Sequence, residues 1–301
     1  MSVPSFMPPF VDTPMLPVST REGLYLDPLK ARELGARLAN QYASADPFPH
    51  VVLDNFLPAD LADAILTNFP TAAKSTDVIY KDRLFEHQKR QVLPEQCGDY
   101  SRRVFSFFNS SAILAFLEGL SGIDGLISDP YFEGGGFHEI SKGGRLGIHA
   151  DFRIQRKLRL NRRLNLLLYL NRNWQEAYGG HLEMWDRSMK RKIHSIAPLF
   201  NRCVIFNTDK DSFHGHPDPL CTPENLTRKS LALYYYTASE KVYEETPGHG
   251  TVFAARPEDS PYAKRTAMRL KLRTVFSWPE LLPPILYRPL RAMKHRLVRS
   301  P

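Results

Sequence analysis

GIHADF, residues 147–152, sets a histidine and an aspartate two positions apart in an otherwise apolar, strand-like run. On a strand, residues i and i+2 share a face, so His149 and Asp151 present an imidazole and a carboxylate side by side. Such a pair serves a metal, a mobile proton or a plain hydrogen bond. From about residue 125 the surrounding sequence is a series of short β-rich runs separated by Gly, Asn, Asp and Pro: RLGIHADF, RRLNLLLYL, GGHLEMWD, RKIHSIAPLF, NRCVIFNT, DSFHGHP and RKSLALYYYT. Many short strands with turn signals at this spacing predict a mainly β sandwich or barrel rather than a βαβ array.

Toward the N-terminus the texture is helical. LKARELGARLANQYA carries Leu29, Leu34, Leu38 and Tyr42 at roughly helical spacing. FPHVVLDNFLPADLADAILTNF reads as a strand followed by a helix that starts at Pro58 and turns Leu61, Ile65 and Leu66 to one face. SSAILAFLEGLSGI predicts another helix, capped by Ser110 or Ser111. The expected organisation is an extended Pro-rich arm (1–25), one domain (26–240) whose helical part runs to about residue 124 and whose β core follows, and a basic extension (241–301) with short helices.

A chain of 301 residues with 43% apolar and 11% aromatic residues has the composition of a globular protein. Its three cysteines, Cys97, Cys203 and Cys221, are an odd number without CxxC spacing, against a disulfide framework or thiolate metal cluster. No stretch reads as a signal peptide or a membrane-spanning helix, and a cytoplasmic protein is expected. The net charge of +8 is concentrated in the last forty or so residues, which suit nucleic acid, anionic lipid or an acidic substrate, or simply a solvated helix face, the preferred reading. Within them Leu290, Met293 and Leu297 mark a basic amphipathic helix. Packing on its own domain or a homodimer contact is preferred to peripheral membrane contact, and no nucleic-acid partner is expected.

Downstream of His149 and Asp151 lie His214 and His216 in DSFHGHPDPL, then Arg228 at the head of RKSLALYYYT. Two histidines and a carboxylate on a β scaffold suit a non-heme Fe(II) site with open coordination positions. The same set can hold a catalytic zinc, a reading that leaves Arg228 and Ser230 without a purpose.

HADF, RRLNLLLYLNRNW followed by GGHLEMWD, NRCVIFNTDKDSFHGHPDPL and RKSLALYYYT together resemble the 2-oxoglutarate and Fe(II)-dependent oxygenase superfamily, in particular its prolyl-4-hydroxylase-like branch. The resemblance covers roughly residues 129–237, and DPFPHVVLDNFLP near the start is similar to the N-terminal region of bacterial members. It implies a double-stranded β-helix (jelly-roll) core with N-terminal helical support, Fe(II) as cofactor, and 2-oxoglutarate and O2 as cosubstrates. By the same resemblance His149, Asp151 and His214 are the metal ligands, with His216 beside them in a supporting role. Arg228 meets the distal carboxylate of 2-oxoglutarate, a task suited to a planar, permanently charged fork. Tyr169 and Ser230 assist it. An aspartate at 151, where related halogenases carry a small residue, implies hydroxylation.

The expected reaction is hydroxylation of an unactivated C–H bond in a small molecule or amino-acid-type substrate, with release of succinate and CO2. A peptidyl-prolyl substrate is the alternative, and a catalytically silent ligand-binding module of the same fold is the alternative from another class. DPYFEGGGFHEISKGG, just before the metal strand, is expected at the barrel mouth. Tyr131, His138 and Glu139 there, and Arg163 and Asn165 two apart on the strand leading to Tyr169, are the candidate substrate contacts. His181, in GGHLEMWD, is read as scaffold with Leu182, Met184 and Trp185.

Overall fold

In the computed structural model, which describes residues 13–70, 78–80, 84–155, 157–238 and 250–275, helices back one face of a curled antiparallel sheet. Helix α1 (Pro28–Ala43) starts where Asp27 accepts hydrogen bonds from the backbone N–H groups of Leu29 and Lys30, with Pro28 in the first turn. Its buried face is Ala31, Gly35 and Tyr42, with Leu34 and Leu38 partly covered. Leu29, expected in this stripe, is 76% exposed because it lies roughly 200° around the helix from Ala31.

Helix α2 (Ala59–Thr67) follows Pro58 and buries Leu61, Ala62 and Ile65, with Leu66 partly covered. Helix α3 (Asp99–Phe108) has no counterpart in the sequence reading; its paired arginines interrupt an apolar face formed by Val104, Phe105, Phe107 and Phe108. Helix α4 (Ser111–Ser121) has Ser110 at its N-cap position, but that hydroxyl is buried without a hydrogen-bond partner rather than capping the helix. No single helix among the described residues is long and apolar enough to cross a membrane. The bent pair α3 and α4 passes by length and composition, but its apolar residues lie in the core.

Helices α1 and α4 approach through glycine. A Cβ on Gly35 would sit 2.1 Å from the Phe116 carbonyl oxygen, and one on Gly119 would sit 2.3 Å from that of Arg32. Both obstacles are backbone, so relief requires the helices to separate. Gly35→Ala is therefore expected to destabilise the fold by about 1–3 kcal/mol, the cost of overpacking, despite alanine's better helix propensity. A urea midpoint equal to that of the parent would refute this packing.

The strands are β1 (His50–Leu53), β2 (Val78–Tyr80), β3 (Glu86–Val92), β4 (Ile127–Ser128), β5 (Gly136–Ala150), β6 (Ile154–Gln155), β7 (Leu160–Tyr169), β8 (Leu182–Trp185), β9 (Lys192–Ile196), β10 (Cys203–Asn207), β11 (His214–His216), β12 (Arg228–Thr237) and β13 (Val252–Phe253). The main path runs β1-β10-β7-β12-β5-β11-β8-β9, with β3 and β13 also on β5, β2 on β3, β4 on β12 and β6 on β7. Every pairing is antiparallel. This is the double-stranded β-helix expected from the sequence.

Strand β5 belongs to both halves of the curl: residues 136–140 pair with β12, while Leu146 and His149 pair with β11. The turn from one half to the other falls at Gly143 (φ 77°) and Gly144, where a Cβ would lie 2.4 Å from Ile140 Cγ2. The stretch expected at the barrel mouth supplies the first half of β5. Gly136 serves close packing, since a Cβ there would meet the Val92 carbonyl oxygen at 2.5 Å. Strands β2 and β3 were not foreseen, because EHQKRQV carries no apolar alternation.

Alternation on β7 and β10 divides the molecule into two faces. Leu164, Leu166, Leu168, Cys203 and Ile205 join the helices in the main core, while Tyr169, Val204 and Phe206 pack inside the barrel. The helices thus cover an apolar sheet face that would otherwise meet water. Within the N-terminal arm, Leu16 and Val18 are buried in that core, and the Leu16 N–H donates to the Phe56 carbonyl at 2.9 Å. After β13 the chain forms α5 (Pro261–Val275). The amphipathic stretch of Leu290, Met293 and Leu297 lies outside the described residues.

Candidate active site

His149 is the penultimate residue of β5, Asp151 follows just beyond the strand, and His214 opens β11 with its Cα directly opposite that of His149. The register of two neighbouring strands therefore brings together residues far apart in sequence. Nδ1 of His149 lies 2.9 Å from the Gly147 carbonyl oxygen, and Nδ1 of His214 lies 2.9 Å from that of Ser212. A carbonyl only accepts, so both Nδ1 atoms are the donors, and Nε2 is the nitrogen that each ring turns toward Asp151. Nε2 of His149 is 3.6 Å from Asp151 Oδ1, and Nε2 of His214 is 3.5 Å from Asp151 Oδ2.

Burial first, and then the neighbouring His149, push the His214 imidazole down to about 4. Burial pushes the Asp151 carboxyl up, yet the group stays well below the usual carboxylate range, with the Arg162 guanidinium as the largest opposing influence. Two imidazole nitrogens and a carboxylate oxygen thus converge within 4.8 Å, all on buried residues. Acceptors facing one another out of water repel unless a cation stands between them. Two imidazoles and one carboxylate suit a first-row divalent metal with open positions.

Asp151 is itself held in place. Its Oδ2 accepts from Asn165 Nδ2 at 2.7 Å and lies 3.0 Å from Arg162 Nη2, and Arg162 also donates through Nε to Asn165 Oδ1 at 3.0 Å. The Arg162 guanidinium lies 3.5 Å from the Tyr234 ring centroid. Such outer contacts orient a ligand and keep it ionised.

On the opposite wall Arg228 is buried at the start of β12. Its Nε donates to the Gly180 carbonyl at 2.8 Å and its Nη2 to the Tyr169 hydroxyl at 3.3 Å. Burial raises the Tyr169 phenol, which stays protonated and able to donate onward. Gly180 (φ 69°) makes room, since a Cβ there would lie 3.1 Å from Arg228 Cδ. Ser230 is the Cα partner of Tyr169. One cavity of about 410 Å³ is lined by His149, Asp151, His214, Tyr169, Arg228 and Ser230 together.

Residues 135–236 match the family model of the 2OG-Fe(II) oxygenase superfamily, and this span contains His149, Asp151, His214 and Arg228. The barrel belongs to the 2OG-Fe(II) oxygenases. Its cofactor is Fe(II), with 2-oxoglutarate as cosubstrate, and the donor set at the cavity wall fits that metal. The fold of the oxygenase is similar to that of a prolyl-4-hydroxylase from Pseudomonas putida, at 20% identity and a TM-score of 0.50 over 68% of this chain and 100% of that one. It is also similar to a prolyl hydroxylase from Trichoplax adhaerens, solved with a hypoxia inducible factor peptide, at 17% identity and a TM-score of 0.51 over 72% of this chain and 96% of that one.

Of the residues expected to touch substrate in the oxygenase, His138 and Asn165 line the cavity, the latter spending its amide on Asp151 and Arg162. Arg163 does not line it and donates instead to Thr237 Oγ1 at 3.4 Å. A bulge is the cause: Tyr235 pairs with Leu164 but Tyr236 pairs with Arg162, so strict alternation fails and Arg162 shares the inner face with Asn165. Glu139 faces the other side, accepting from Arg90 Nε at 2.9 Å and Thr227 Oγ1 at 2.7 Å. Tyr131 is 49% exposed, with the Lys157 ammonium 4.4 Å from its ring centroid. His216 lines the cavity, and neither of its ring nitrogens has a hydrogen-bond partner. His181 lies 3.1 Å from Glu176, away from that cavity. Sequence reasoning missed Arg162, Glu86, Lys89, Gln91 and Phe253, all of which line it.

Proposed function

We propose that this oxygenase hydroxylates an unactivated C–H bond of a small molecule or amino-acid-type substrate, releasing succinate and CO2. In this reading His149, Asp151 and His214 hold Fe(II), while Arg228, Tyr169 and Ser230 receive the distal carboxylate of 2-oxoglutarate. The observation that carries it is the convergence of two imidazole nitrogens and a carboxylate in the same cavity as a buried guanidinium. When bound, the metal and cosubstrate supply the oxidation of the C–H bond. The chain's own groups do the rest. The Nδ1–H bonds to Gly147 and Ser212 aim two nitrogens, Arg162 and Asn165 keep Asp151 ionised, and Arg228 orients a dianion.

A silent binding module would have no use for both the converging donors and the Arg228–Tyr169 pair. A peptidyl-prolyl substrate is a second reading, favoured by the fold shared with the two prolyl hydroxylases. Three free cysteines and a ferrous site suit a reducing, cytoplasmic compartment.

The test is the anaerobic visible spectrum on adding Fe(II) and then 2-oxoglutarate. A charge-transfer band is expected, and Arg228→Ala is expected to raise the 2-oxoglutarate concentration needed for it by about a hundredfold, the cost of removing a buried partner of a charge. No band from folded, metal-loaded protein would refute the reading, and an unchanged requirement would remove Arg228 from the cosubstrate site.

A further inference from the structure

His216 is 3% exposed, lines the cavity, and has both of its ring nitrogens buried without a hydrogen-bond partner. Among the described residues no other side chain leaves two such atoms. A buried polar atom without a partner is costly, so each one calls for a protein group, a water or a ligand to match it. The proposed function gives His216 no part.

The backbone cannot carry the ring to a partner elsewhere, because β11 is wedged between two strands. His214 lies opposite His149 of β5 on one side and Met184 of β8 on the other. Gly215 lets β11 approach β5 closely: a Cβ there would sit 2.7 Å from the Gly147 carbonyl oxygen and 2.8 Å from that of Leu146.

Two registers fix where the ring stands. His214 and His216 are two apart on one strand, so they share a face, and both line the cavity. Going back along β5 from His149, the next marker is Leu146, opposite His216, and then Ile140, opposite Arg228. On the other side Gly215 pairs with Glu183, which brings His216 beside Leu182; two residues before Leu182, the Gly180 carbonyl accepts from Arg228 Nε. His216 therefore stands between the metal-binding group and the Arg228 guanidinium. Its neighbours in these registers, Leu146, Ile140 and Leu182, line the cavity as well and offer no side-chain donor.

In the proposed function a dianion spans this interval, with one end at the metal and its distal carboxylate at Arg228. A carboxylate only accepts, and an imidazole carries at least one N–H in either protonation state. We infer that His216 donates a ring N–H to the distal carboxylate of 2-oxoglutarate beside Arg228. It thereby helps the site select this cosubstrate over a 2-oxo acid without that carboxylate. This rests on the oxygenase reading of the same cavity.

The experiment follows the anaerobic charge-transfer band at saturating Fe(II) in the parent, His216→Leu, His216→Gln and His216→Asn, with urea unfolding to establish that each is folded. The titrants are 2-oxoglutarate and 2-oxopentanoate, whose methyl group replaces the distal carboxylate. His216→Leu should need about tenfold or more 2-oxoglutarate, the worth of one hydrogen bond to a charged group, and no more 2-oxopentanoate than the parent. At least one amide variant, whose N–H reaches the place of Nε2 or Nδ1, should recover part of the loss. An unchanged 2-oxoglutarate requirement in His216→Leu overturns the inference and leaves the ring to water. An equal rise for both acids, or an equal loss in all three variants, overturns it in favour of packing. If 2-oxopentanoate gives no band with the parent, the amide variants decide. A parent without a band from 2-oxoglutarate sinks the oxygenase reading itself, a separate result.

Discussion

His214→Ala is expected to abolish tight Fe(II) binding, whereas His216→Ala retains it. The two histidines are separated by one residue, but the register shifts between them, so that His214 lies opposite His149 and His216 opposite Leu146. Nε2 of His214 is the atom that converges with His149 and Asp151, and His216 is not in that group. Removing one of three donors should lower metal affinity by more than about a hundredfold, beyond the range that follows loss of an outer partner. His216→Ala removes a cavity-lining ring and should stay within that range. An anaerobic chelator competition reads both variants. Loss of binding in His216→Ala with retention in His214→Ala would exchange their roles.

Arg162→Met is expected to destabilise the metal-free protein by about 3–5 kcal/mol, because it strands a buried carboxylate. Arg162 is almost wholly buried, 3.0 Å from Asp151, with its guanidinium against Tyr234 and Phe152. Methionine keeps much of the side-chain volume and removes only the charge and its donors. A bound divalent cation supplies part of the missing compensation, so the loss should be smaller for the Zn(II)-loaded protein. Urea unfolding with and without Zn(II) measures both. Equal stability of parent and variant without metal would show that Asn165 alone satisfies Asp151. An equal loss in the two states would uncouple Arg162 from metal binding at Asp151.

These two variants probe residues of opposite legibility. His149 and Asp151 stand out in GIHADF because a period of two places both on one face, and HGH stands out as a polar interruption in β sequence. Arg228 opens a ten-residue strand whose apolar pattern marks it plainly. Arg162 was passed over for its neighbour. In RRLNLLLYL alternation selects Arg163 with Asn165, and only the pairing of β7 with β12 reveals the extra residue that turns Arg162 inward. Lys89 was hidden twice, by a strand without apolar alternation and by a bulge at Gln88.

What the amino-acid sequence determined by itself was local: strand periodicity, the helices around Pro58 and within SSAILAFLEGLSGI, and the candidate site residues His149, Asp151, His214 and Arg228. Periodicity of two or 3.6 is a property of neighbouring residues and survives without knowledge of the fold. The tertiary structure alone decided which cations enter the cavity, that Gly35 and Gly119 let two helices touch, and that Gly136 serves a close strand approach. Each of these depends on the register or approach of a distant segment. Such pairing energies are set by side chains on both partners, so no window of one strand contains them.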